Sequence, residues 1–536
     1  RYRRSRQLLC SGAKIMQELP LNGFYAGEGK KLTDRRCINW IPTPNDAGSL
    51  APMSLMPTAG LGEGSVISGV AYSSLTYTKV TGQVFNYAAS SSASSLCFCT
   101  EGEIYFTNGF GTTISYPLPE RYRFSRMASS PTNLVVTGGG VSPSSDTGLY
   151  FTTDTGIAPT EIDYEAIFPG LVTPSAIDVV FIGGRFLYCI VGNGFTGAIH
   201  YSGIGGVLPN NLDFFAPDSS ASRIRGLEVL DDRLYVFTET ETFIYQVTAS
   251  VDTPFRQVGS LGIGIRYANE KTVLGKKLFI RGNIKGGGNG FYIISGGGYQ
   301  PISTDTIDYF VHNNGGNRPS SVFNYASVFS LSEDGKDYVV FRDGGYSIAS
   351  GDDIGGYCLV YSVSTGLWHE RQELSGRPWL IIGAAASSVS GDNIVVGIDI
   401  TEGAGGSAIL NASIPSSAIG TEFGRLVERT MISAPFNDKN QRMMVDEIQP
   451  QCEVDYSVPV TDWAEAKINI SMSHDFGNTF EQERGLNIGR AGNYTQETRF
   501  MSMGYVRQAF TLKLRSLNPY PTRVTALLSR LTKGGA

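Results

Sequence analysis

Short runs of apolar residues, each bounded by Gly, Asp or Asn, recur along the middle of the chain. The runs are rich in Val, Ile, Tyr and Phe, which is the composition of β-strands. Several share one form: an apolar strand, a tight polar turn that ends in Arg, Lys or Asn, and a second strand. Five such units span residues 179–191, 227–237, 272–280, 328–341 and 384–398. The pattern predicts five β-hairpins.

The spacing of these hairpins predicts how they assemble. Their turns end at Arg185, Arg233, Lys277, Lys336 and Asn393, which are 48, 44, 59 and 57 residues apart. Repeats of roughly 40–50 residues with three or four strands each are typical of β-propeller blades. Residues 90–160 fit one or two further blades. A pair of β-sandwiches, which also consists of many short strands, is the alternative, and the regular period favours the propeller.

The chain therefore divides into three predicted parts. Residues 1–64, rich in Pro and Gly, form an N-terminal arm and an irregular β segment. Residues 65–420 form the propeller, and residues 421–536 form an additional C-terminal β domain that resembles a sandwich. In this last part the strands are predicted at 445–454, 466–472, 496–503 and 510–514. The fold class is all-β, and Pro450 within the first of these strands indicates an edge strand or a bulge.

Charge is unevenly distributed along the 536 residues, whose net charge is −6. Basic and acidic residues number 9 and 5 in residues 1–64 and 14 and 13 in residues 421–536, which leaves −11 for residues 65–420. Tight DNA binding depends on cations that neutralise phosphates, so the acidic middle is not expected to bind DNA tightly. No apolar run approaches the roughly 18 residues that span a membrane.

The first residues form a basic cluster of Arg1, Arg3, Arg4 and Arg6. The apolar stretch after it is too short for a signal peptide. Met16 resembles a natural start, so residues 1–15 are interpreted as an extension or a mobile arm. The expected contact of this arm is an acidic face of a neighbouring subunit, since several charge-assisted hydrogen bonds can offset the entropy lost on ordering.

Residues that would indicate catalysis or a metal are not grouped in the sequence. The four histidines form no HxH, HExxH or Cys/His cluster, and no GxSxG or Walker motif is present. The seven cysteines are scattered, which is typical of reduced, buried thiols in a reducing cytosol. We therefore predict no catalytic, metal-binding or cofactor-binding residues, no cofactor, and a protein that is not an enzyme.

One local motif has a known form. The residues Ser473, Asp475, Gly477, Thr479 and Phe480 fit the pattern Ser-x-Asp-x-Gly-x-Thr-aromatic, called an Asp box. Asp475 is expected to accept hydrogen bonds from the turn backbone, Gly477 to adopt a positive φ, and Phe480 to anchor the hairpin in the core. Sialidases carry several copies of this motif together with an arginine cluster. The single copy here favours a structural hairpin motif over a glycosidase.

Segments along nearly the whole chain resemble, in the same order, the tail nozzle family of short-tailed, podovirus-like bacteriophages, also called packaged-DNA stabilisation proteins. Particular matches are the Asn-aromatic-x-Pro stretch from Asn39 to Pro42 and the Gly-x-Trp hairpin that ends at Trp368, with Ser362 where Asp is usual. In the N-terminal stretch Ala59 stands where the family has Pro. The resembling segments are 16–21, 36–42, 55–61, 242–245, 255–264, 292–307, 361–368 and 468–515.

The resemblance implies a structural virion protein of the tail that is assembled in the host cytoplasm. It implies a β-propeller with extra β domains, a hexameric ring as homo-oligomer, and a DNA conduit below the portal adaptor protein. The further partners it implies are a tail needle or plug protein, tailspikes or fibres, and double-stranded DNA that passes without tight binding and is retained until ejection. The alternative is a carbohydrate-binding or glycan-cleaving propeller used in host adsorption.

Overall fold

The computed structural model describes most strands of the chain and the turns between them. The described residues are 16–19, 21, 24, 35–46, 51–60, 65–70, 79–85, 95–99, 103–107, 113–117, 122–140, 147–152, 159–192, 197–217, 223–250, 252–285, 287–315, 327–333, 335–347, 352–374, 376, 378–379, 381–386, 393–399, 407–413, 421–422, 425–437, 442–455, 465–490 and 497–533. Contacts divide the chain into two compact units, 59–417 with 421–425, and 1–58 with 418–420 and 426–536.

Strands account for nearly all the regular structure in these residues. Before the propeller lie β1 (Met16–Glu18), β2 (Cys37–Ile38), β3 (Trp40–Pro44) and β4 (Met53–Pro57). The propeller begins with β5 (Ser65–Val70) and continues through seven antiparallel sheets, or blades. Blade 1 consists of β6 (Lys79–Phe85), β7 (Ser95–Cys99), β8 (Glu103–Thr107) and β9 (Thr113–Pro117). Blade 2 consists of β10 (Tyr122–Ser129), β11 (Asn133–Gly140), β12 (Thr147–Thr152) and β13 (Thr160–Asp163), and α1 (Tyr164–Ile167) follows it.

The remaining blades follow in chain order. Blade 3 consists of β14 (Ser175–Ile182), β15 (Arg185–Val191), β16 (Ile199–Ser202) and β17 (Pro209–Phe215). Blade 4 consists of β18 (Ile224–Leu230), β19 (Arg233–Thr238), β20 (Thr242–Val247) and β21 (Phe255–Leu261). Blade 5 consists of β22 (Ile263–Gly264), β23 (Lys271–Leu274), β24 (Lys277–Ile284), β25 (Asn289–Ser295) and β26 (Gly298–Pro301), and α2 (Asp305–Gly315) follows it. Blade 6 consists of β27 (Ser327–Glu333), β28 (Lys336–Ser347), β29 (Asp352–Ser362) and β30 (Trp368–Glu370).

Blade 7 joins the two ends of the propeller. Its three later strands are β31 (Ile381–Ala386), β32 (Asn393–Asp399) and β33 (Ser407–Ser413). The fourth is β5, which pairs antiparallel with β33, so that Ile67 lies opposite Ile409. The first strand of blade 7 also packs against the first strands of blades 6 and 1, which closes the ring. The predicted propeller is thereby confirmed.

The five predicted hairpins are β14–β15, β18–β19, β23–β24, β27–β28 and β31–β32, one in each of blades 3 to 7. The tight turn of blade 3 requires a positive φ, which Gly183 and Gly184 adopt at 60° and 74°. In blade 4 the equivalent residues, Asp231 and Asp232, adopt 49° and 57°. Asp tolerates this left-handed region better than most residues, and a turn with two positive φ values matches the twist of the strands that it joins.

Apolar side chains fill the seams between neighbouring blades. The seam of blades 3 and 4, for example, contains Leu187, Ile199, Leu227, Leu234 and Val236, all fully buried or nearly so. Similar clusters join blades 1 and 2, 2 and 3, and 4 and 5. Blades 2, 3 and 4 are apolar on both faces for this reason, and a single blade could not bury both faces alone.

The second unit contains two antiparallel sheets. Its C-terminal strands are β36 (Glu428–Ile432), β37 (Met443–Val454), β38 (Glu465–Ser473), β39 (Arg484–Arg490), β40 (Phe500–Val506), β41 (Thr511–Leu517) and β42 (Thr522–Lys533), and the short strands β34 (Thr421–Glu422) and β35 (Arg425–Leu426) precede them. One sheet has the order β3-β4-β42-β37-β40, with β1 also on β42. The other pairs β2, β36, β41, β38 and β39 in that order. Alternate residues Ile468, Ile470 and Met472 are buried, the pattern of a sheet with one face in a core, and the predicted sandwich-like fold is confirmed.

This unit groups the chain differently from the three sequence segments. The N-terminal strands β1 to β4 lie in it, because they pair with β42 and β36 rather than with one another alone. Such pairing joins residues more than 390 positions apart, and local hydrophobic patterns carry no information on it. Pro450 lies on β37 opposite Leu527, beyond the last residue that pairs with β40, and a bulge follows at Gln451 and Cys452.

Candidate functional site

A chain of buried and partly buried charged side chains connects strands of blades 2 to 5. Arg126 of β10 lies 3.6 Å from Asp178 of β14, measured from Nε to Oδ1. The Nζ of Lys271, on β23, lies 2.9 Å from the other oxygen of Asp178 and 3.6 Å from Glu228 of β18. One carboxylate therefore ties together blades that are widely separated in sequence.

Asp178 also accepts hydrogen bonds from two backbone amides. The N–H of Val179 donates to one oxygen at 3.0 Å, and the N–H of Leu227 donates to the other at 2.8 Å. Gly226 makes room for this, since a Cβ there would come within 3.1 Å of the Asp178 carboxylate. Burial lowers the pKa of Arg126, whereas Asp178 and Glu228 act in the opposite direction. Arg126 also donates to the side chain of Asn269, just before β23.

The network continues around blades 5 and 6. Arg281 of β24 lies 2.9 Å from Asp343 of β28 and 3.6 Å from Glu270. Glu270 accepts hydrogen bonds of 3.0 Å from the amides of Arg266 and Tyr267. Burial raises the pKa of Glu270, and Arg281 with these two amides opposes that effect. Burial would lower the pKa of Arg281, but Tyr357, Asp343 and Glu270 outweigh it and the pKa is raised.

We call these seven side chains the axial network: Arg126, Asp178, Glu228, Glu270, Lys271, Arg281 and Asp343. A buried charge is tolerated only when it is paired and hydrogen-bonded. Because each pair joins different strands, the network cross-links neighbouring blades and opposes slippage of one blade past the next. The cations and carboxylates of the network pair with one another, so the arrangement is suited to making the propeller rigid.

A second polar cluster lies where the chain enters and leaves the propeller unit. Arg371 bonds to Glu333, and its guanidinium lies 4.3 Å from the centre of the Trp379 ring. Glu333 also accepts a hydrogen bond from the amide of Ala59, the first residue of the unit. Trp379 donates to Glu422, near the last residue of the unit, at 2.8 Å. The cluster thus fastens both ends of the propeller segment to blade 6 and its outgoing loop.

The Asp-box residues form a braced turn after β38. The backbone N–H and the hydroxyl of Thr479 donate to the two oxygens of Asp475 at 2.8 and 2.6 Å, and the Ser473 hydroxyl donates at 2.7 Å. These hydrogen bonds lower the pKa of Asp475 to about 2. Gly477 has a φ of 92° and donates its N–H to the Ser473 hydroxyl. Phe480 is half-buried, with Lys513 Nζ 6.0 Å from its ring centre.

Two of the four histidines, and the adjacent aspartates Asp231 and Asp232, have structural surroundings. His200 contacts the rings of Phe168 and Phe214, and burial lowers its pKa. His369 packs against Tyr338 and its pKa is lowered far more, again by burial. Asp231 and Asp232 are the turn residues of blade 4, as described above. Within the described ranges no group of three or more His, Cys, Asp or Glu could hold a metal ion.

The basic cluster Arg1, Arg3, Arg4 and Arg6 lies outside the described residues. The axial network and the Arg371 cluster were not predicted from the sequence. A usable signal did exist at Asp178, which is the single charged residue of the otherwise apolar strand β14. In the described part of the chain no helix is long and apolar enough to cross a membrane.

Comparison with protein families identifies the chain. A model described as bacteriophage P22 Gp10, beta-propeller, matches residues 17–330, and a model described as bacteriophage P22 Gp10, beta-sandwich, matches residues 428–531. The chain belongs to the bacteriophage P22 Gp10 family. The resemblance seen in the sequence is thereby confirmed, and the chain is a phage structural protein of the tail and stabilisation class.

Other comparisons add less. No curated protein matches the chain. One similar solved structure is PorZ, an essential bacterial surface component of the type-IX secretion system of Porphyromonas gingivalis, with 11% identity and a TM-score of 0.34. The match covers 71% of this chain and 45% of PorZ, so the chain spans less than half of that protein.

Proposed function

We propose that this chain is a subunit of the tail nozzle, a ring that forms the DNA conduit below the portal adaptor protein and retains packaged DNA until ejection. Family membership supports a structural role in the tail. On the same basis we propose that six copies form the ring. Its proposed partners are the adaptor, the needle or plug, and the spikes or fibres. The proposal assigns no catalytic step to the chain.

The axial network is the observation that carries this proposal. Buried ion pairs join blades 2 to 6 there, so the described part of the propeller suits a rigid building block. We place the conduit between copies of the chain, which requires a closed ring of head-to-tail contacts.

Charge supports transit rather than binding. Residues 65–420 carry a net charge of −11, and phosphates are not held by a surface of their own sign. Retention would come from closure of the far end of the conduit. We expect the purified chain to bind duplex DNA no more tightly than non-specific proteins do, with a Kd no lower than about 10⁻⁶ M at physiological salt.

The direct test uses phage particles assembled without this chain. They are expected to package DNA and then lose it, measured as nuclease-sensitive DNA, and purified chain added back should restore retention. Electron microscopy of restored particles should show a ring below the adaptor. Particles that hold their DNA normally without the chain would contradict the proposal.

Glycan cleavage or binding is the competing outcome. Incubation of the purified chain with host surface polysaccharide should release no oligosaccharide and show no binding. Release that is lost on substitution of a single residue would favour the adsorption alternative. Asp475→Asn is a suitable variant, because the Asp box is the motif that suggested a glycosidase.

A further inference from the structure

Two exposed apolar patches lie on this chain, and each includes residues of an edge strand. The hairpin patch belongs to the β16–β17 hairpin of blade 3 and its members expose half or more of their surface: Ile204, Leu208, Leu212 and Phe214. The sandwich patch lies on β37, β39 and β40: Met444, Leu486, Met501 and Tyr505. Leu212 is 80% exposed and Met501 is 50% exposed. Clustered apolar exposure of this kind indicates an interaction site.

Each of the two patches includes residues of an edge strand. Among the described strands β17 pairs with β16 alone, and β40 pairs with β37 alone. Edge strands are commonly protected by Lys or by Pro. β17 has a single Pro at its first position and no Lys or Arg, whereas the outer strand of blade 5, β26, is four exposed residues that end in Pro301.

The surroundings of the hairpin patch are acidic. The helix α1 contacts β17, and with β13 it presents Glu161, Asp163 and Glu165 as exposed side chains. Asp213 lies on β17 itself. Residues 159–173 and 197–217 contain no Lys or Arg. Arg185 of β15 does contact the hairpin, but it is buried against Tyr201 and donates to the carbonyl of Ser202. The exposed charges that border this patch are therefore acidic.

Exposed arginines border the sandwich patch. Met444 and Tyr505 are opposite one another on β37 and β40, and exposed Arg442 and Arg507 lie immediately beyond the paired ends of these strands. Arg484 donates to the carbonyl of Met501 at 2.7 Å, and Arg499 is about half exposed beside Glu497. Carboxylates also lie near this patch, but Glu497 pairs with Arg499 and Glu483 pairs with Arg515. The two patches are therefore alike in apolar character, and Arg442 and Arg507 are opposite in charge to the acidic border of the hairpin patch.

This charge pattern selects one mode of association. Contact between two hairpin patches would bring carboxylates together, and contact between two sandwich patches would bring arginines together. Contact between a hairpin patch and a sandwich patch pairs the opposite charges. Such a contact uses two different surfaces of the chain, so repetition gives a ring when the rotation closes.

We propose that the hairpin patch of one copy binds the sandwich patch of the next copy in the ring. This inference rests on the proposed nozzle function and names the subunit contact. The contact is made by side chains and not by backbone pairing of β40 with a strand of the next copy. Ser502 and Gly504 of β40 have φ values of 56° and 116°, which interrupt the regular edge that such pairing needs.

The experiment is a charge swap between the patches. Glu161→Lys with Glu165→Lys, and separately Arg442→Glu with Arg507→Glu, should each weaken ring assembly roughly tenfold, as loss of complementary charge does. The quadruple variant restores opposite charges across the contact and should regain most of the assembly. Rings are counted by electron microscopy on particles that contain the adaptor, and circular dichroism of each purified variant establishes folding.

Lys276→Glu with Lys277→Glu is the matched control, since both side chains are exposed in the β23–β24 turn of blade 5 and belong to neither patch. It should leave assembly unchanged. Rings that form normally in all variants, or a quadruple variant as defective as the doubles, would overturn the proposed contact and leave the nozzle function standing. Absence of this chain from the particle would overturn the nozzle function itself.

Discussion

Two aspartates in different parts of the molecule show how the surroundings of a carboxylate determine its contribution to stability. Asp178, between the blades of the propeller, accepts hydrogen bonds from Val179 and Leu227 and pairs with Lys271. Asp475, on the sandwich turn, accepts hydrogen bonds from Ser473 and Thr479. Both carboxylates have several donors, yet the first is buried and the second lies at the surface.

The distance in sequence between partners also differs. Lys271 is 93 residues from Asp178, whereas every donor to Asp475 lies within four residues of it. A buried carboxylate with distant partners stabilises the association of blades. An exposed carboxylate with adjacent partners stabilises only a local turn, and water can replace its hydrogen bonds. Substitution of Asp178 should therefore lower the free energy of unfolding far more than substitution of Asp475.

The largest effect is expected from Asp178→Ala. The change leaves Lys271 and Arg126 buried without their carboxylate, and breaking a buried pair from one side costs about 3–5 kcal/mol. Urea unfolding followed by fluorescence measures the loss. Asp213→Asn is the control, since this surface aspartate should change stability by no more than about 0.5 kcal/mol. Equal stability of the two variants would mean that the axial ion pairs are not needed.

A substitution in the apolar seam between blades 3 and 4 provides the reference for the loss of stability expected of Asp178→Ala. Leu234 is fully buried between blades 3 and 4. Leu234→Ala should cost about 3 kcal/mol through lost burial and a residual cavity. The same unfolding experiment measures it, and Leu234→Met should lose less than about 1.5 kcal/mol because the volume is conserved. A loss much greater than that of Asp178→Ala would show that apolar packing, not the charged axis, dominates the propeller.

The sequence predicted the local elements of the propeller and missed what joins them. The five hairpins were visible because apolar strands and turns such as Asp231-Asp232 are local patterns. The closing strand β5 was not, because its partner β33 is more than 330 residues away. Charged residues such as Asp178 were recognisable as exceptions inside apolar strands, but the strand pattern does not reveal which cation each one meets. The turn at Asp475 was predicted well, since all of its contacts are local.

A double-mutant cycle sharpens the comparison. Lys271→Met removes the cation of the pair with a side chain of similar length, and Asp178→Asn removes the charge of the carboxylate. The two losses should not add, and the coupling energy should be about 1–3 kcal/mol, the range for residues in direct contact. The control cycle combines Lys271→Met with Asp475→Asn, which are in separate units and should add. Additive losses in the first cycle would mean that Asp178 is stabilised mainly by its backbone donors.

The smallest effect is expected at Asp475, and pH distinguishes it. The folded-state pKa of about 2 lies below the ordinary value of 3.8, so the ionised carboxylate stabilises the turn above pH 4. That contribution falls as the pH drops from about 4 towards 2, where the carboxylate becomes protonated in the folded state as well. Hydrogen exchange of the peptide 473–483 should therefore be slower in the wild type than in Asp475→Asn at pH 6, with a difference that narrows at pH 2.5 after correction for the intrinsic rate. Asn478→Ala, which removes a neighbouring hydrogen bond to the Asp475 carbonyl, is the control and should show no such narrowing. A difference that is constant across this pH range would mean that the charge of Asp475 does not contribute and that the shape of the turn alone is responsible.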